Sequence, residues 1–314
     1  MGLKLGMAHD HETAHGHHHH HGPTSYGRAF AIGIALNLGF VVAEVVYGLK
    51  AHSLALLSDA GHNLSDVLAL LLAWGASILA ERKPSPRFTY GLRSTTILAA
   101  LLNAALLLLV MGGIGWEAIQ RLSAPVPVHG GIIIGVAALG VVVNTATALL
   151  FMRGRHRDLN IRGAFVHMAA DAAISFGVVL TGIGILFTGW LWLDPVVSLA
   201  LVIVIVVGTW GLLRDSTNLA LHAVPQGVEP SLVRAYLSGL PGVTEVHDLH
   251  IWGMSTTESA LTVHLVMPGS YPGDAFMAQV SHELHDRFHI AHPTIQIELG
   301  DPSHPCALAP EHVV

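Results

Sequence analysis

The chain has 314 residues, of which 52% are hydrophobic and 11% charged, and its formal net charge is −6 at pH 7. Soluble globular proteins carry about 25% charged residues, so this composition argues against a wholly soluble protein and indicates an integral membrane protein. Cys306 is the only cysteine, which excludes an internal disulfide and a site built from several thiolates. Copper(I) and iron–sulfur chemistry therefore lose their usual ligands.

Residues 1–27 form a low-complexity segment rich in histidine and glycine, with too little apolar surface to fold alone. We predict a disordered cytoplasmic arm that collects metal ions. The alternative is an expression tag, because five consecutive histidines end at His21. The irregular spacing of His9, His11 and His15 favours a native arm. The segment does not resemble a cleavable signal peptide, so we expect the first membrane span to direct insertion.

Six apolar stretches follow, each close to the ~20 residues that a helix needs to cross the hydrocarbon core of a membrane. They cover residues 28–49, 56–80, 94–119, 130–152, 163–188 and 192–213. We therefore predict a six-helix transmembrane transport domain over residues 28–213.

Basic residues are concentrated in two of the loops between these spans. The loop after the second span holds Arg82, Lys83, Arg87 and Arg93, and the loop after the fourth holds Arg153, Arg155, Arg157 and Arg162. The positive-inside rule places both loops in the cytoplasm. With six spans, both termini of the chain are then cytoplasmic as well.

Two pairs of the form His-x-x-x-Asp lie within the predicted spans: His62 with Asp66 in the second, and His167 with Asp171 in the fifth. Residues four apart on a helix share one face, with Cβ atoms roughly 5–6 Å apart. Each pair therefore offers an imidazole nitrogen and a carboxylate oxygen to one point. Two such faces make a four-ligand site that suits a tetrahedral divalent cation, zinc first. Inside a membrane, such a site predicts transport.

Three further polar residues of the spans are candidates for the metal pathway or for proton transfer. Asp59 shares a helical face with His62 and Asp66, and Glu44 and Asn144 lie within apolar runs of the first and fourth spans. Each also has a structural interpretation. Asp59 could cap its helix, Glu44 could lie near the membrane interface or bond a neighbouring helix, and Asn144 could have a structural role only.

After the sixth span, charged and histidine residues become frequent and apolar runs shorten. We predict a soluble α+β domain at residues 214–304, with the order helix, strand, strand, helix, strand, followed by a tail at 305–314. His247 and His264 lie on adjoining predicted strands, and Glu298 on the third strand could approach them. These three residues predict a second, cytoplasmic metal site.

Four segments carry a resemblance to a known family: SLALLSDAGHNLSDV, RFTYGLRSTTILAALLNA, HMAADAAISFGVV and VHDLHIWGMSTTESALTVHLV. From about residue 28 to 302, the chain resembles the cation diffusion facilitator family of metal transporters, in its zinc/cobalt/cadmium efflux branch. The resemblance implies a homodimeric antiporter whose protomers each have six spans and a ferredoxin-like cytoplasmic domain. It further implies that metal, with Zn²⁺ expected first, leaves the cytoplasm in exchange for protons.

The resemblance also carries over the metal ligands of the family. In the spans they match His62, Asp66, His167 and Asp171, and in the cytoplasmic domain they match His247, His264 and Glu298, with His250 and His292 at positions where this branch often has histidine. The expected partners are a second copy of the chain, membrane lipid, divalent metal ions and protons, with no nucleic acid. The expected location is the inner (plasma) membrane of a bacterium.

Other functions stay open at this point. An intramembrane metalloenzyme is less favoured, because four protein ligands leave no open position for water and the predicted spans hold no His-Glu-x-x-His motif; we expect no enzymatic activity. A metal sensor, whose cytoplasmic domain reports zinc by changing a dimer interface, is compatible with transport. Cobalt, cadmium or nickel could be the main substrate, since nitrogen and oxygen sites accept all of them.

Overall fold

The structure is a computed structural model that describes residues 26–152, 159–269 and 271–310. The predicted histidine-rich arm lies outside these residues, apart from its last two positions. Six long helices come first: α1 (Tyr26–Ala51), α2 (Leu54–Ala80), α3 (Thr95–Ser123), α4 (Gly130–Phe151), α5 (Leu159–Thr188) and α6 (Leu193–Ala220). Each coincides with one of the six predicted spans. The largest difference is at the end of α6, which continues past the predicted boundary at residue 213.

The apolar length of these helices is what a membrane requires. Within the described residues, five helices are long and apolar enough to cross one: Leu54–Ala80, Thr95–Ser123, Gly130–Leu149, Phe165–Thr188 and Leu193–Ala220. The side chains of α1 are described only from residue 35 onward, a stretch shorter than a full crossing. Because α1 packs on α2 and α4, it belongs to the same helical bundle.

Two apolar clusters hold the bundle together. One joins α1, α2, α4 and α5 and includes Phe40, Leu56, Ile133 and Val178. The other lies between α3 and α6 and includes Leu107, Met111, Val202 and Ile205. Helix α2 contacts both groups of helices, so its polar face is enclosed by the bundle.

The start of α2 is fixed by a carboxylate from another helix. Asp194, near the start of α6, accepts hydrogen bonds from the backbone N–H of Leu54 at 2.8 Å and of Ala55 at 3.3 Å, and from the Ser53 hydroxyl at 2.5 Å. These backbone groups have no partner within α2 itself. The interpretation of Asp59 as the cap of its helix is therefore wrong, because α2 begins at Leu54 and Asp194 supplies its cap.

The C-terminal domain follows the predicted order of elements: α7 (Pro230–Ser238), β1 (Glu245–Gly253), β2 (Ser259–Val266), α8 (Asp274–Phe288) and β3 (Ile290–Glu298). Strand β2 is central in the sheet, antiparallel to β1 and parallel to β3. One face of the sheet meets the two helices through a core that includes Leu237, Leu261, Val263 and Leu284. The opposite face is free to carry polar side chains.

An irregularity in β1 changes which residues share that opposite face. His247 pairs with His264 of β2, whereas His250 pairs with Thr262. Three residues of β1 are thus matched to two of β2, which is a β-bulge. Asp248 lies in the bulge with φ +48°. In a regular strand His247 and His250 would point to opposite faces, but the bulge brings them to the same one.

The C-terminal domain contacts the helical bundle through the β1–β2 turn. Arg93, just before α3, forms an ion pair with Glu258 at 2.5 Å. Ser94 donates a hydrogen bond to the carbonyl of Met254 at 3.2 Å, and the backbone N–H of Thr256 donates to the hydroxyl of Thr96 at 3.1 Å. We call the end of the bundle that bears this contact the domain-side end, and the opposite one the far end.

Candidate metal centres

The four predicted ligands of the membrane domain converge between α2 and α5. These helices are antiparallel, so His62 lies opposite Asp171 and Asp66 lies opposite His167. The His62 Nε2 atom is 3.3 Å from Asp171 Oδ1, and the His167 Nε2 atom is 3.1 Å from Asp66 Oδ2. The distances within each helix are longer, 3.9 Å for the pair on α2 and 3.7 Å for the pair on α5. Each imidazole therefore contacts the carboxylate of the other helix more closely than that of its own.

These contacts form two successive levels along the helices. The first level, nearest the domain-side end, consists of Asp66 and His167, and the second consists of His62 and Asp171. The ring centroids of the two histidines are 5.9 Å apart, and ligand atoms of His62, Asp66 and Asp171 lie within 4.8 Å of one another. His167 lies outside that group of three but brings its Nε2 atom within 3.1 Å of Asp66 and 3.7 Å of Asp171. Two nitrogens and two oxygens are the donor set expected for tetrahedral zinc.

A third level continues the series towards the far end. Asp59 lies three residues before His62 on α2, and Ser175 lies four residues after Asp171 on α5. The Ser175 hydroxyl donates a hydrogen bond to Asp59 Oδ2 at 3.0 Å. The carboxyl group of Glu44, on α1, lies within hydrogen-bonding reach of Asp59 and accepts a hydrogen bond from the Asn63 amide at 3.1 Å.

Exposure decreases from level to level. The exposed fraction of the side chains is 42% and 34% at the first level, 19% and 1% at the second, and 0% at the third. The four-ligand site is therefore more accessible from the domain-side end than from the far end. At the third level, the Ser175–Asp59 hydrogen bond joins α2 and α5.

The remaining polar candidate of the spans is Asn144. It is fully buried, and neither its amide nitrogen nor its amide oxygen has a hydrogen-bond partner among the described residues. Glu44, by contrast, does bond a neighbouring helix through Asn63, as its structural interpretation predicts.

A second cluster lies on the polar face of the sheet in the C-terminal domain. His247, His264 and Glu298 meet there as predicted, and Cys306 joins them from the tail that follows β3. Ligand atoms of all four residues lie within 4.8 Å of one another. Glu298 bridges the two histidines, with its oxygens 3.3 Å from His247 Nε2 and 2.9 Å from His264 Nδ1. The Cys306 sulfur is 3.5 Å from His264 Nδ1.

Asp248 and His250 lie beside this cluster because of the bulge in β1. One oxygen of Asp248 is 3.4 Å from His264 Nε2, and the other is 2.8 Å from His250 Nε2. His250 therefore reaches the cluster through Asp248 rather than directly. Sequence analysis missed both Asp248 and Cys306. The signal for Cys306 was its position eight residues after Glu298, and the bulge left no pattern that would reveal Asp248.

His292 does not belong to this cluster, so its assignment to the cytoplasmic site is wrong. It lies on β3 opposite Ala260, whereas Glu298 lies opposite Val266. Six residues of strand separate the two positions, about 20 Å at the usual rise. The ring centroid of His292 instead lies 5.5 Å from that of Tyr90, a residue of the loop between α2 and α3.

Two residues of the cluster in the sheet have pKa values shifted from their ordinary ones. Burial acts to raise the pKa of Glu298, but the hydrogen bond with Cys306 and the neighbouring His247 outweigh this and hold the pKa below its ordinary value. For Cys306, a backbone hydrogen bond at Leu308 favours the thiolate, yet burial and the Glu298 carboxylate outweigh it and raise the pKa of the thiol. A bound cation would reverse that preference and release the proton.

A helical membrane domain that encloses two histidines and two carboxylates, joined to a small α+β domain with its own ligand cluster, is the architecture of a divalent-cation transporter. The sequence matches the family described as the cation efflux transmembrane domain over residues 30–219, and the cytoplasmic domain of cation efflux proteins over residues 225–299. The chain belongs to the cation efflux family. It is thus a multi-pass membrane protein and a metal transporter, not an enzyme.

Three relatives illustrate the match. The cation efflux system protein CzcD of Alcaligenes sp. (strain CT14) is 37% identical over 308 residues, which cover 98% of this chain and 93% of the relative. Zinc transporter ZitB of Escherichia coli is 35% identical over 294 residues, 93% of each chain. The cadmium, cobalt and zinc/H(+)-K(+) antiporter of Bacillus subtilis is 34% identical over 286 residues, 90% of this chain and 92% of the relative.

A solved structure matches the C-terminal part. The metal-bound C-terminal domain of the CzcD transporter from Cupriavidus metallidurans is 36% identical, and the match covers 23% of this chain and 100% of that chain with a TM-score of 0.22.

Proposed function

We propose that this transporter exports zinc from the cytoplasm in exchange for protons, by alternating exposure of the site formed by His62, Asp66, His167 and Asp171. The observation that carries the proposal is the convergence of these four side chains between α2 and α5, with imidazole–carboxylate distances of 3.1 and 3.3 Å. Two nitrogens and two carboxylate oxygens are hard to explain inside an apolar bundle without a cation or a proton to bind.

Competition for the same atoms couples the two ions. Zinc requires neutral imidazole and ionised carboxylate, so its binding displaces protons from the four side chains, and their protonation releases the metal. The contacts between α2 and α5 support this step, because each imidazole lies beside a carboxylate of the other helix. The two groups can share a proton when no metal is bound. One set of ligands can then carry the cation outward and protons inward.

The direction of transport follows from accessibility and charge. The first level is the exposed one and faces the domain-side end, so the conformation described is one that loads from that side. The basic residues Arg82, Lys83, Arg87 and Arg93 lie at this same end, which supports a cytoplasmic location for it. The inner membrane of a bacterium, with both termini in the cytoplasm, fits this orientation.

The names of the relatives support zinc and leave room for similar cations. One relative is named as a zinc transporter, and another as an antiporter of cadmium, cobalt and zinc with protons and potassium. The present ligand set favours zinc, because it has as many imidazoles as carboxylates and can be tetrahedral. Cobalt and cadmium are expected as secondary substrates.

Transport assays on purified protein in liposomes test the proposal. We expect zinc uptake driven by an imposed proton gradient in the unaltered protein. Uptake should fall to the level of protein-free liposomes when His167→Ala and Asp171→Ala are combined. His129→Ala removes an exposed imidazole just before α4 and serves as the matched control, with uptake unchanged. Equal uptake by the double variant and the unaltered protein would contradict the proposed site.

The cluster of His247, His264, Glu298 and Cys306 supports a second role, regulation by cytoplasmic metal. Its four ligand atoms are already within 4.8 Å of one another, and its domain contacts the start of α3 through Arg93 and Glu258. We propose that zinc binding there alters transport, in a homodimer held together in part by this domain. The match to the cation efflux cytoplasmic domain supports the dimer. Light scattering that measures the fraction of dimer as zinc is added tests whether zinc affects the homodimer.

A further inference from the structure

The third level of polar contacts differs from the first two in its chemistry. It has no imidazole. Its polar groups are the carboxylates of Glu44 and Asp59, the amide of Asn63 and the hydroxyl of Ser175. All four side chains are buried, with exposed fractions between 0% and 4%. Asp59 on α2 and Ser175 on α5 lie one helical turn beyond the four-ligand site, in the direction of the far end. Asn63 directly follows His62 and reaches the third level through its bond to Glu44.

The two carboxylates of this level are incompletely partnered. Glu44 Oε1 and Asp59 Oδ1 have no hydrogen-bond donor among the described residues, although both are buried. Among the described residues, Glu44 accepts from Asn63 and Asp59 accepts from Ser175, and neither carboxylate forms an ion pair with a lysine or arginine of that part of the chain. Two neighbouring buried carboxylates without a counter-charge are costly, so the arrangement is suited to receive a cation.

Position along the helices indicates which cation. A metal ion that leaves the second level towards the far end meets the third level next, because the levels follow one another along the same two helix faces. Leaving in the other direction returns it to the side from which it was loaded. A route to the far end therefore passes through Glu44 and Asp59.

We propose that Glu44 and Asp59, assisted by Asn63 and Ser175, form a second binding station for the transported divalent cation, through which it passes on its way to the far end. The proposal rests on the proposed function and adds a specific exit step to it. An oxygen-only set binds zinc less firmly than a set with two imidazoles. The cation is thus transferred to weaker ligands before release, and the third level opens only when α2 and α5 separate there.

Replacing each carboxylate with its amide tests the station with little change of shape. Glu44→Gln and Asp59→Asn keep an oxygen that accepts from Asn63 or Ser175 but remove the charge that holds the cation. Asp194→Asn is the control, because it makes the same replacement at a buried carboxylate that bonds the start of α2 and is not one of the side chains of the three levels. Its effect on stability is removed from the comparison by measuring uptake per folded protein. All variants are made in the full chain with His264→Ala and Cys306→Ser, so that the cluster of the C-terminal domain contributes equally little to metal binding in each of them.

Two measurements are compared for each variant: zinc uptake into liposomes per folded protein, and zinc affinity at equilibrium in detergent. We expect the double variant of Glu44 and Asp59 to lose uptake by about tenfold or more, the range seen when groups that support a metal site are removed, while its zinc affinity stays that of the parent. The Asp194 control should keep both. A parallel loss of affinity and uptake would overturn the proposal, because it would mean that the carboxylates only position the four ligands.

Unchanged zinc uptake in the double variant would also overturn the proposal, whether or not proton movement changes. If the double variant does not fold, Glu44→Asp and Glu44→Gln are compared instead. A ligand role for Glu44 requires Glu44→Asp, which keeps the carboxylate, to retain more zinc uptake than Glu44→Gln. Equal uptake by the two variants would refute that role. Failure of the proposed function looks different, since the parent would then show no proton-driven zinc uptake, or the His167 and Asp171 variant would keep it.

Discussion

Cys306 places a sulfur atom beside the two imidazoles and the carboxylate of the cluster in the C-terminal domain, where it could bind metal. Thiolate is a soft ligand and binds cadmium and zinc strongly. We expect Cys306→Ser to weaken zinc binding at this cluster by at least about tenfold, since even outer partners of metal ligands have effects of that size. Cadmium binding should be weakened more than zinc binding.

Competition with a calibrated chelator measures both affinities, in a background where His167→Ala and Asp171→Ala have disabled the membrane site. Ser303→Ala, a substitution of an exposed residue of the same tail, is the control and should bind as the parent does. If Cys306→Ser binds zinc and cadmium as tightly as the parent, the thiol is a neighbour of the cluster and not a ligand.

Glu298 links the same cluster to pH. Its pKa in the folded protein lies below the ordinary value of 4.5 because the Cys306 hydrogen bond and His247 outweigh the effect of burial. Its contribution to stability is therefore fully present above pH 4.5 and is lost as the pH falls through the lower folded pKa. In metal-free protein, we expect Glu298→Gln to make the loss of thermal stability below pH 4.5 shallower than in the unaltered protein.

Melting curves recorded with a chelator across this acidic range measure the effect, and Glu229→Gln provides a matched change at an exposed glutamate of the same domain. An identical acid dependence in the Glu298 variant and the unaltered protein would show that the carboxylate is not stabilised by its neighbours.

At the residue scale, the sequence was sufficient to predict which side chains meet where these side chains lie on a regular helix. The spacing of four in His62 and Asp66, and again in His167 and Asp171, fixes both members of each pair on one face, whatever the rest of the fold. The cytoplasmic cluster depends instead on a β-bulge and on the course of the tail. Neither has a local pattern, which is why Asp248 and Cys306 were missed. His292 was included on the family resemblance alone, and its pairing with Ala260 places it at the other end of β3 from Glu298.

At the element scale, the start of α2 depends on Asp194 of another helix. Its carboxylate accepts from two backbone N–H groups of α2 and from the Ser53 hydroxyl. Loss of a helix cap costs about 1 kcal/mol and up to about 2 kcal/mol, and the buried Ser53 hydroxyl loses its partner as well. We expect Asp194→Ala to lower the thermal stability of the protein in detergent, and Asp194→Asn, which keeps an accepting oxygen, to lower it less.

Asp301→Ala, at an exposed carboxylate after β3, is the control for this series and should melt as the unaltered protein does. Equal stability of the alanine and asparagine variants would contradict the capping role.

The helices themselves were predictable because a membrane imposes a minimum apolar length. All six predicted spans correspond to helices, and the boundaries differ where the helix continues in polar sequence. The end of α6 is the main example: residues 214 to 220 read RDSTNLA, which no hydropathy criterion assigns to a span, yet the helix runs through them to Ala220. The cap of α2 could not be predicted, since Asp194 lies 140 residues from Leu54 in the chain.

At the scale of the whole molecule, the two domains meet where Arg93 contacts Glu258. A partly exposed ion pair contributes only up to about 1 kcal/mol, but here the hydrogen bonds of Ser94 and Thr256 surround it. We expect Arg93→Glu to loosen the β1–β2 turn from the start of α3, and the double variant with Glu258→Arg to restore the contact. Hydrogen exchange at the backbone N–H of Thr256 should become faster in the single variant and return towards its original rate in the double variant.

Arg287→Glu reverses a charge on α8, away from this contact, and is the control. If exchange at Thr256 is as fast in the double variant as in the single one, the ion pair does not hold the domains together.

The order of residues in the two intramembrane motifs is tied to the connectivity of the chain. Because α2 and α5 run in opposite directions, repeating the same motif, histidine first and aspartate fourth after it, sets one histidine against one aspartate at each of the first two levels. On helices running the same way, the same two motifs would place histidine against histidine and carboxylate against carboxylate, with negative charge gathered at one depth. A homologue that gained or lost a single crossing between these helices could keep mixed levels only by reversing one motif to Asp-x-x-x-His.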